Sequence, residues 1–177
     1  VREVRFDDPA MPGGVVVRAT MDDGAPREYH ARFVVDASGR DTFLSNKLQL
    51  KQKNPKHNSS ALFGHFRGAR RLEGRKEGNI TIFWFAHGWF WFIPLADGTT
   101  SIGAVCWPYY LKSRDKPLRE FFDDTIAMCP MLAERLQGAE LVDGAVHATG
   151  NYSYTSARCT GDRHLLLGDA FAFIDPV

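Results

Sequence analysis

The sequence predicts an α+β fold with a large antiparallel sheet, and three observations predict it. Runs rich in β-branched and aromatic residues follow one another between 61 and 107, and Asp97-Gly98 is a hairpin signal between the last two. From Lys116 onward, apolar residues recur at three- and four-residue spacing, which is typical of a helix. Two short apolar runs, within 33–39 and 165–169, each end in a turn that contains an aspartate and a glycine.

The first fifty-nine residues predict a small β-meander followed by a helix and a loop. Alternating or β-branched runs at 1–8, 14–21 and 27–35 are separated by Pro, Gly and Asp-Gly turn signals. The segment 42–50 predicts a short helix. The segment 52–59, rich in Lys, Asn and Pro, predicts an exposed loop.

The middle of the chain predicts the sheet, and the helix comes after it. The helical spacing runs from residue 116, is interrupted at Pro130 and ends at Gly138. The predicted strands are 61–67, 79–86, 89–95, 100–107, 142–149, 152–157 and 165–167, the last of them buried on both faces.

Composition excludes several classes of protein. The chain has 22 basic and 21 acidic residues without a basic stripe, so we expect no nucleic-acid partner. No apolar run reaches the length of a membrane span. Three cysteines without a Cys-x-x-Cys pattern favour a reduced, cytoplasmic setting with buried thiols, and six histidines without metal spacing predict no metal site.

The two Asp-Gly turns are the first candidate site. Asp36-Ala37-Ser38-Gly39-Arg40 and Gly168-Asp169 each follow an apolar strand, where a carboxylate can accept hydrogen bonds from ribose or polyol hydroxyls. Taken alone, each turn is equally well explained by an ordinary cap. Two occurrences of one pattern favour a shared ligand.

The string Gly88-Trp-Phe-Trp-Phe-Ile-Pro-Leu95 is the second candidate site. Alternation on a strand puts Trp89, Trp91 and Ile93 on one face and the two phenylalanines on the other. Pro94 cannot donate to a neighbouring strand and is expected at a strand end or an edge. The plain alternative is a core strand with many aromatic residues.

These strings together resemble flavin-dependent halogenases, which belong to the FAD-dependent monooxygenases with a p-hydroxybenzoate-hydroxylase-type fold. The Trp-x-Trp-x-Ile-Pro string resembles the halogenase signature, and the two turns resemble the FAD motifs of the wider class. The resemblance implies a substrate tunnel at Trp89, Trp91, Ile93 and Pro94. It implies cofactor binding at Asp36, Ala37, Ser38, Gly39, Arg40, Gly168, Asp169, Asp175 and Pro176.

The resemblance also implies an activity. Such enzymes use FADH2 from a separate flavin reductase, dioxygen and halide to halogenate an electron-rich aromatic or heteroaromatic substrate, free or tethered to a carrier protein. The tryptophans are expected to separate the flavin from that substrate.

The sequence departs from the family pattern in ways that shape the expected domains. It lacks a Gly-x-Gly-x-x-Gly fingerprint, and the family's catalytic lysine is expected upstream of Val1, so no catalytic residue is assigned. We therefore expect a piece of a longer protein that is inactive by itself. Its parts are an FAD-binding segment at 1–45, a substrate domain at 46–160 and a return to the FAD-binding domain at 161–177.

Two alternatives stay open. An FAD-dependent aromatic hydroxylase or a geranylgeranyl-reductase-like enzyme would share both FAD motifs, whereas Trp89 and Trp91 favour the halogenase. A binding module that keeps the flavoprotein fold without catalysis is the alternative from another class.

Overall fold

Strand pairing divides the chain into two units, which a computed structural model describes over residues 1–9, 11–55, 59–150 and 153–174. The first unit contains Val1–Lys56 and Ser153–Val177, and the second contains His57–Tyr152. The described strands, in chain order, are β1 (Glu3–Phe6), β2 (Val15–Thr20), β3 (Pro26–Ala31), β4 (Val34–Asp36), β5 (Lys51–Lys53), β6 (Ser60–Arg67), β7 (Thr81–Phe85), β8 (Gly88–Pro94), β9 (Thr99–Cys106), β10 (Glu140–Leu141), β11 (His147–Thr149), β12 (Tyr154–Ser156), β13 (Thr160–Gly161), β14 (His164–Leu166) and β15 (Ala172–Phe173). The described helices are α1 (Phe43–Lys47), α2 (Pro108–Lys112), α3 (Leu118–Ala127) and α4 (Pro130–Arg135).

The predicted meander is confirmed for its first strands, where β1, β2 and β3 pair antiparallel in that order. The prediction of one strand over 27–35 is wrong. Strand β3 stops pairing with β2 at Ala31. Val34 then begins β4, which pairs in parallel with β14. The Val34 N–H donates to the Arg163 carbonyl at 3.0 Å, so the backbone changes its hydrogen-bonding partner within two residues.

The parallel pair of β4 and β14 fixes the arrangement of the first unit's turns. Val34 lies opposite His164, and Asp36 lies opposite Leu166. The pairing continues one step beyond β14, where the Leu167 N–H donates to the Asp36 carbonyl at 2.9 Å. Because parallel strands end at the same edge of a sheet, the turns that follow them lie together.

The predicted strand 165–167 is shifted by one residue. His164 and Leu166 are the buried positions of β14, and Leu165 is half-buried, whereas Leu167 lies beyond the strand and is 55% exposed. Leu166 packs with Val4, Val15 and Leu44 in the core of the first unit. Alternation along β14, set by its pairing with β4, decides which residues turn inward.

The segment after the first turn is only partly as predicted. The helix expected at 42–50 is shorter, since α1 covers Phe43–Lys47. The loop expected at 52–59 begins instead inside β5, which pairs antiparallel with β12, and 56–58 lie outside the described residues. This pairing keeps β5 and β12 in the first unit, although the expected boundaries at 45 and 160 would put both in the substrate domain.

The second unit contains the predicted antiparallel sheet, and the strands expected between 61 and 107 are confirmed. In the part of the chain that the structure describes, the order is β10-β6-β9-β8-β7, with β11 also paired to β6. One face of the sheet packs on α3 and α4 through a cluster that includes Phe90, Phe92, Ile102, Phe122 and Leu132. Asp97-Gly98 forms the turn between β8 and β9, as expected, and Gly98 has a φ of +87° there.

Two elements of the second unit were missed or misplaced by the sequence prediction. Helix α2 begins directly after β9, since Pro108 suits the first position of a helix. The strand expected over 142–149 is wrong in its first half, because Val142–Gly144 form a 3-10 turn before β11.

The thiols are not all buried as expected. Cys106 and Cys129 are buried in the second unit, but Cys159 is exposed. Burial raises the pKa of the Cys106 thiol to about 12, which keeps it protonated and unreactive. In the described ranges, no helix combines the length and the apolar character that crossing a membrane requires.

Candidate cofactor and substrate sites

The first turn, residues 36–41, is built around a buried carboxylate. Asp36 accepts a hydrogen bond from the Ser38 N–H at 2.9 Å on one oxygen and from the Leu44 N–H at 2.7 Å on the other. Its exposed fraction is 6%. Asp36 therefore shapes the turn and the start of α1, whereas the sequence prediction gave its carboxylate to a ligand.

The remainder of the first turn is exposed and conformationally unusual. Ala37, Ser38 and Arg40 are exposed, and the Ser38 hydroxyl accepts from the Phe43 N–H at 3.0 Å. Gly39 has a φ of +64°, which favours glycine, and a side chain there would meet no atom within 4 Å. No protein atom therefore blocks approach to the backbone of this turn at Gly39.

Thr42 fixes the end of the first turn. It is fully buried and adopts a φ of +48°, an uncommon conformation for a β-branched residue. Its hydroxyl oxygen accepts from the Lys51 ammonium and from the Asn46 side-chain amide, each at 2.9 Å. These bonds offset the strain of the backbone and tie the turn to β5.

The second turn, residues 168–170, follows β14 and is a short 3-10 segment. Gly168 has a φ of +57°, Asp169 is exposed and Ala170 is buried. The Tyr154 hydroxyl donates to the Asp169 carbonyl at 2.7 Å, and the Lys51 ammonium lies 4.0 Å from the centre of the Tyr154 ring. Tyr154 and Lys51 therefore connect both turns to the sheet of β5, β12 and β15.

Charged side chains from both turns influence the pKa of Tyr154. Burial raises the pKa of Tyr154, the Asp169 carboxylate raises it further, and the Arg40 guanidinium opposes this change. The Arg40 guanidinium also lies 6.0 Å from the centre of the Phe173 ring. An anionic and a cationic side chain, one from each turn, thus act on the same tyrosine with opposite sign.

We call residues 36–41 and 168–170 the turn pair. Its exposed polar side chains have the chemistry needed to bind a dinucleotide. An exposed carboxylate at Asp169 suits ribose or ribityl hydroxyls, and a guanidinium at Arg40 suits a phosphate. Gly39 and Gly168 carry no side chain, and a Cβ atom at either would meet nothing within 4 Å, so a ligand can approach the backbone closely. Asp175 and Pro176, also predicted to bind the cofactor, lie outside the described residues.

An apolar pocket adjoins the first turn. It has a volume of about 270 Å³ and is lined by valines of β1, β2 and β4 together with Asp36, Ala37 and Ser38. Its walls suit a flat apolar ring more than a charged group. Sequence reasoning did not find this pocket, because β1, β2 and β4 line it together only after folding.

The tryptophan strand is β8, and its alternation is as predicted. Phe90 and Phe92 are completely buried on the face that packs against the helices. Trp89 and Trp91 lie on the other face with ring centres 6.3 Å apart and planes inclined by 60°. Pro94 ends β8, as expected, opposite Thr100 of β9.

Neighbouring strands extend this surface with residues that the sequence prediction did not include. The Phe63 ring centre is 6.0 Å from that of Trp91 and 5.2 Å from that of His147. We call Phe63, Trp89, Trp91 and His147 the aromatic face; of these, Phe63 and Trp91 are half-buried. Ile93, also predicted for the tunnel, is half-buried on β8.

Metal ions in proteins are held by groupings of side chains such as His, Cys, Asp and Glu. Among residues 1–9, 11–55, 59–150 and 153–174, no group of three or more His, Cys, Asp or Glu side chains is placed to hold a metal ion.

Comparison with known proteins gives the family. The sequence model described as "Tryptophan halogenase" matches residues 7–177. A 1H-pyrrole-2-carbonyl-[peptidyl-carrier protein] chlorinase from Pseudomonas fluorescens is 31% identical over 172 residues, which are 94% of this chain and 38% of that protein.

Solved structures agree with this result. CmlS, a flavin-dependent halogenase, superimposes with a TM-score of 0.83 at 30% identity, covering 100% of this chain and 32% of that one. The myxobacterial chondrochloren halogenase CndH gives 0.81 at 34% identity, covering 98% and 40%. The chain thus spans 32–40% of the length of these relatives. The comparisons confirm the resemblance read from the tryptophan string and the two turns, and the chain belongs to the tryptophan halogenase family of flavin-dependent halogenases.

Proposed function

We propose that the intact protein containing this chain is an FAD-dependent halogenase that uses FADH2, dioxygen and halide to halogenate an electron-rich aromatic or heteroaromatic substrate. The observation that carries the proposal is the parallel pairing of β4 with β14, which brings the turn pair to one edge of a sheet. Membership of the family supports the same activity.

In this proposal the turn pair holds FAD. Asp169 accepts hydrogen bonds from ribose or ribityl hydroxyls, and Arg40 neutralises phosphate charge. Ala37, Ser38, Gly39 and Gly168 allow close approach of the backbone, with Asp175 and Pro176 continuing the site. Asp36 acts through its two backbone hydrogen bonds, which keep the first turn in the required shape.

The bound cofactor, once reduced, supplies the electrons that activate dioxygen for oxidation of halide. The chain's own part is to bind and orient that cofactor and to exclude water. Trp89, Trp91, Ile93 and Pro94 form the wall on the substrate side in this proposal. Indole rings suit that role, because they present a large rigid apolar surface.

Several partners follow from the proposed activity. A separate flavin reductase supplies FADH2, and the enzyme works in the cytoplasm, where its three widely separated cysteines stay reduced. The Pseudomonas fluorescens relative is named for a pyrrole carried on a peptidyl-carrier protein. A carrier-bound aromatic acyl group is therefore included in the proposed substrate class.

Mass spectrometry of aromatic products tests the proposal. The intact protein is supplied with FAD, a flavin reductase, NADH and candidate aromatic substrates, in parallel reactions with chloride, with bromide and without either halide. We expect product ions with the isotope pattern of the halide supplied. Hydroxylated product that is the same with and without halide would identify an aromatic hydroxylase, and failure to bind FAD would identify a non-catalytic module; either result would refute the halogenase proposal.

A further inference from the structure

Gly103 lies under the indole of Trp91. In the sheet of the second unit, Gly103 of β9 stands opposite Trp91 of β8 on one side and Phe63 of β6 on the other. A Cβ atom built on Gly103 would lie 2.1 Å from Cζ2 of Trp91, 2.3 Å from Cε2 and 2.4 Å from Cη2. Carbon atoms in contact are about 3.5–4.0 Å apart, so any side chain at 103 must displace the indole.

A hydrogen bond fixes the same indole at a second point. The Trp91 Nε1–H donates to the Ser101 hydroxyl oxygen at 3.1 Å. Ser101 and Gly103 are two residues apart on β9 and share one face of the sheet. The indole therefore extends from β8 across β9, towards the Phe63 ring at 6.0 Å.

The position of the indole sets the shape of the aromatic face. Trp91 is inclined by 39° to Phe63 and by 60° to Trp89, so it forms the central part of a stepped surface. The phenylalanines on the opposite face are completely buried, but Trp91 and Phe63 are half-buried and retain accessible ring surface. Moving the Trp91 indole outward would reduce the depth available above Phe63.

We propose that Gly103 is a positioning residue that determines which aromatic substrates fit. Without a side chain at 103, the indole lies against the sheet and leaves room for a flat ring at the aromatic face. This inference rests on the proposed function, in which the aromatic face meets the substrate. Gly103→Ala would lift the indole by about 1 Å or more and exclude fused-ring substrates before single-ring ones.

The test uses the intact protein and two probes, phenol with one ring and 1-naphthol with two. We expect Gly103→Ala to shift the Trp91 indole N–H resonance in ¹⁵N-tryptophan-labelled protein and to weaken 1-naphthol binding at least about threefold more than phenol binding. Gly150→Ala is the matched control, because a Cβ atom there meets nothing within 4 Å. It is expected to change neither measurement.

Two further variants test whether the effect of Gly103→Ala arises from displacement of the Trp91 indole. Ser101→Ala removes only the hydrogen-bond acceptor and is expected to shift the indole resonance without the change in ring selectivity that Gly103→Ala gives. In a Trp91→Phe background the smaller ring relieves the contact, so Gly103→Ala is expected to have little further effect on ring selectivity.

The outcomes separate this inference from the proposed function. Unchanged ring selectivity in Gly103→Ala would overturn the inference whether or not the indole resonance shifts, as would an equal effect of Gly103→Ala with and without Trp91. If the wild-type protein gave no halogenated product, the proposed function would fall, while the resonance and the two binding constants would still decide the role of Gly103.

Discussion

The turn pair in the first unit and the aromatic face in the second are held in place by different forces. At the turn pair, buried polar groups form hydrogen bonds of defined direction, as when Asp36 accepts from two backbone N–H groups. At the aromatic face, strand register and apolar packing decide position, since Trp91 lies over Gly103 and its strand is anchored by Phe90 and Phe92 beneath.

This difference predicts which kind of substitution destabilises each region. Removing one acceptor atom leaves buried donors unsatisfied, which is destabilising even when little volume changes. Removing volume under a sheet leaves a cavity, which is destabilising even when no polar group is touched. The first unit should therefore respond to loss of polar atoms and the second to changes in side-chain size.

The largest effect is expected at the centre of the second unit's core. Phe92 is completely buried among aromatic and aliphatic side chains, so Phe92→Ala leaves a cavity and should destabilise the protein by about 3–5 kcal/mol. Urea unfolding of the intact protein measures this. Ile80→Ala is the control, because Ile80 is exposed, and it should change stability by less than about 0.5 kcal/mol. Equal effects of the two substitutions would contradict the packing described for β8.

The next effect is expected at the first turn. Asp36→Ala removes both acceptors of the Ser38 and Leu44 N–H groups, and should destabilise the protein by about 3 kcal/mol. Asp36→Asn retains one carbonyl oxygen of the same shape and should lose roughly half as much. The same unfolding measurement applies, and an alanine variant as stable as the wild type would show that Asp36 does not hold the turn.

A smaller effect is expected from the link between the turns and β12. Tyr154→Phe removes the hydroxyl that donates to the Asp169 carbonyl, and should destabilise the protein by about 1 kcal/mol. It should also weaken FAD binding, because the second turn loses a restraint. Tyr29→Phe, at an exposed position of β3, serves as the control in both measurements. FAD affinity unchanged in Tyr154→Phe would remove Tyr154 from the proposed site.

The smallest effect is expected at an exposed ion pair. Arg163 donates to both carboxylate oxygens of Asp7, at 2.6 and 2.7 Å, and this hydrogen bonding lowers the Asp7 pKa from its usual value of 3.8. A lowered pKa in the folded state stabilises the protein above about pH 4, and the contribution is lost as pH falls through the folded pKa. Asp7→Asn suits the test, since asparagine tolerates the positive φ at this position.

Urea midpoints at pH 7 and at pH 2.5 measure the contribution of the Asp7 pair. The wild type should be slightly more stable than Asp7→Asn at pH 7, and the difference should be smaller at pH 2.5, where the carboxylate begins to be protonated in the folded state. A difference of the same size at both values would mean that the carboxylate charge is not the cause.

The sequence predicted the parts of this fold that depend on local pattern. The strands of the aromatic sheet, the turn at Asp97-Gly98 and the two faces of β8 each follow from alternation or from turn chemistry within a few residues. The family was also accessible, because the Trp-x-Trp-x-Ile-Pro string is short and specific.

What the sequence did not predict depends on pairing between distant segments. The division of 27–35 into β3 and β4 follows from a change of partner to β14, far along the chain. Phe63, Ser101 and Gly103 join Trp91 only through the register of β6, β9 and β8. The internal role of Asp36 had a local signal that was overlooked, since an aspartate two residues before a serine can bond to that residue's backbone.

The FAD dissociation constant of the intact protein tests whether the turn pair holds the cofactor, because variants of both regions can be compared in one assay. Asp169→Ala should weaken FAD binding about tenfold, equivalent to roughly 1.4 kcal/mol, whereas Trp91→Phe and the exposed control Asp22→Ala should stay within about twofold of the wild type. Wild-type affinity in Asp169→Ala, or a loss in Trp91→Phe as large as in Asp169→Ala, would contradict the placement of the cofactor at the turn pair.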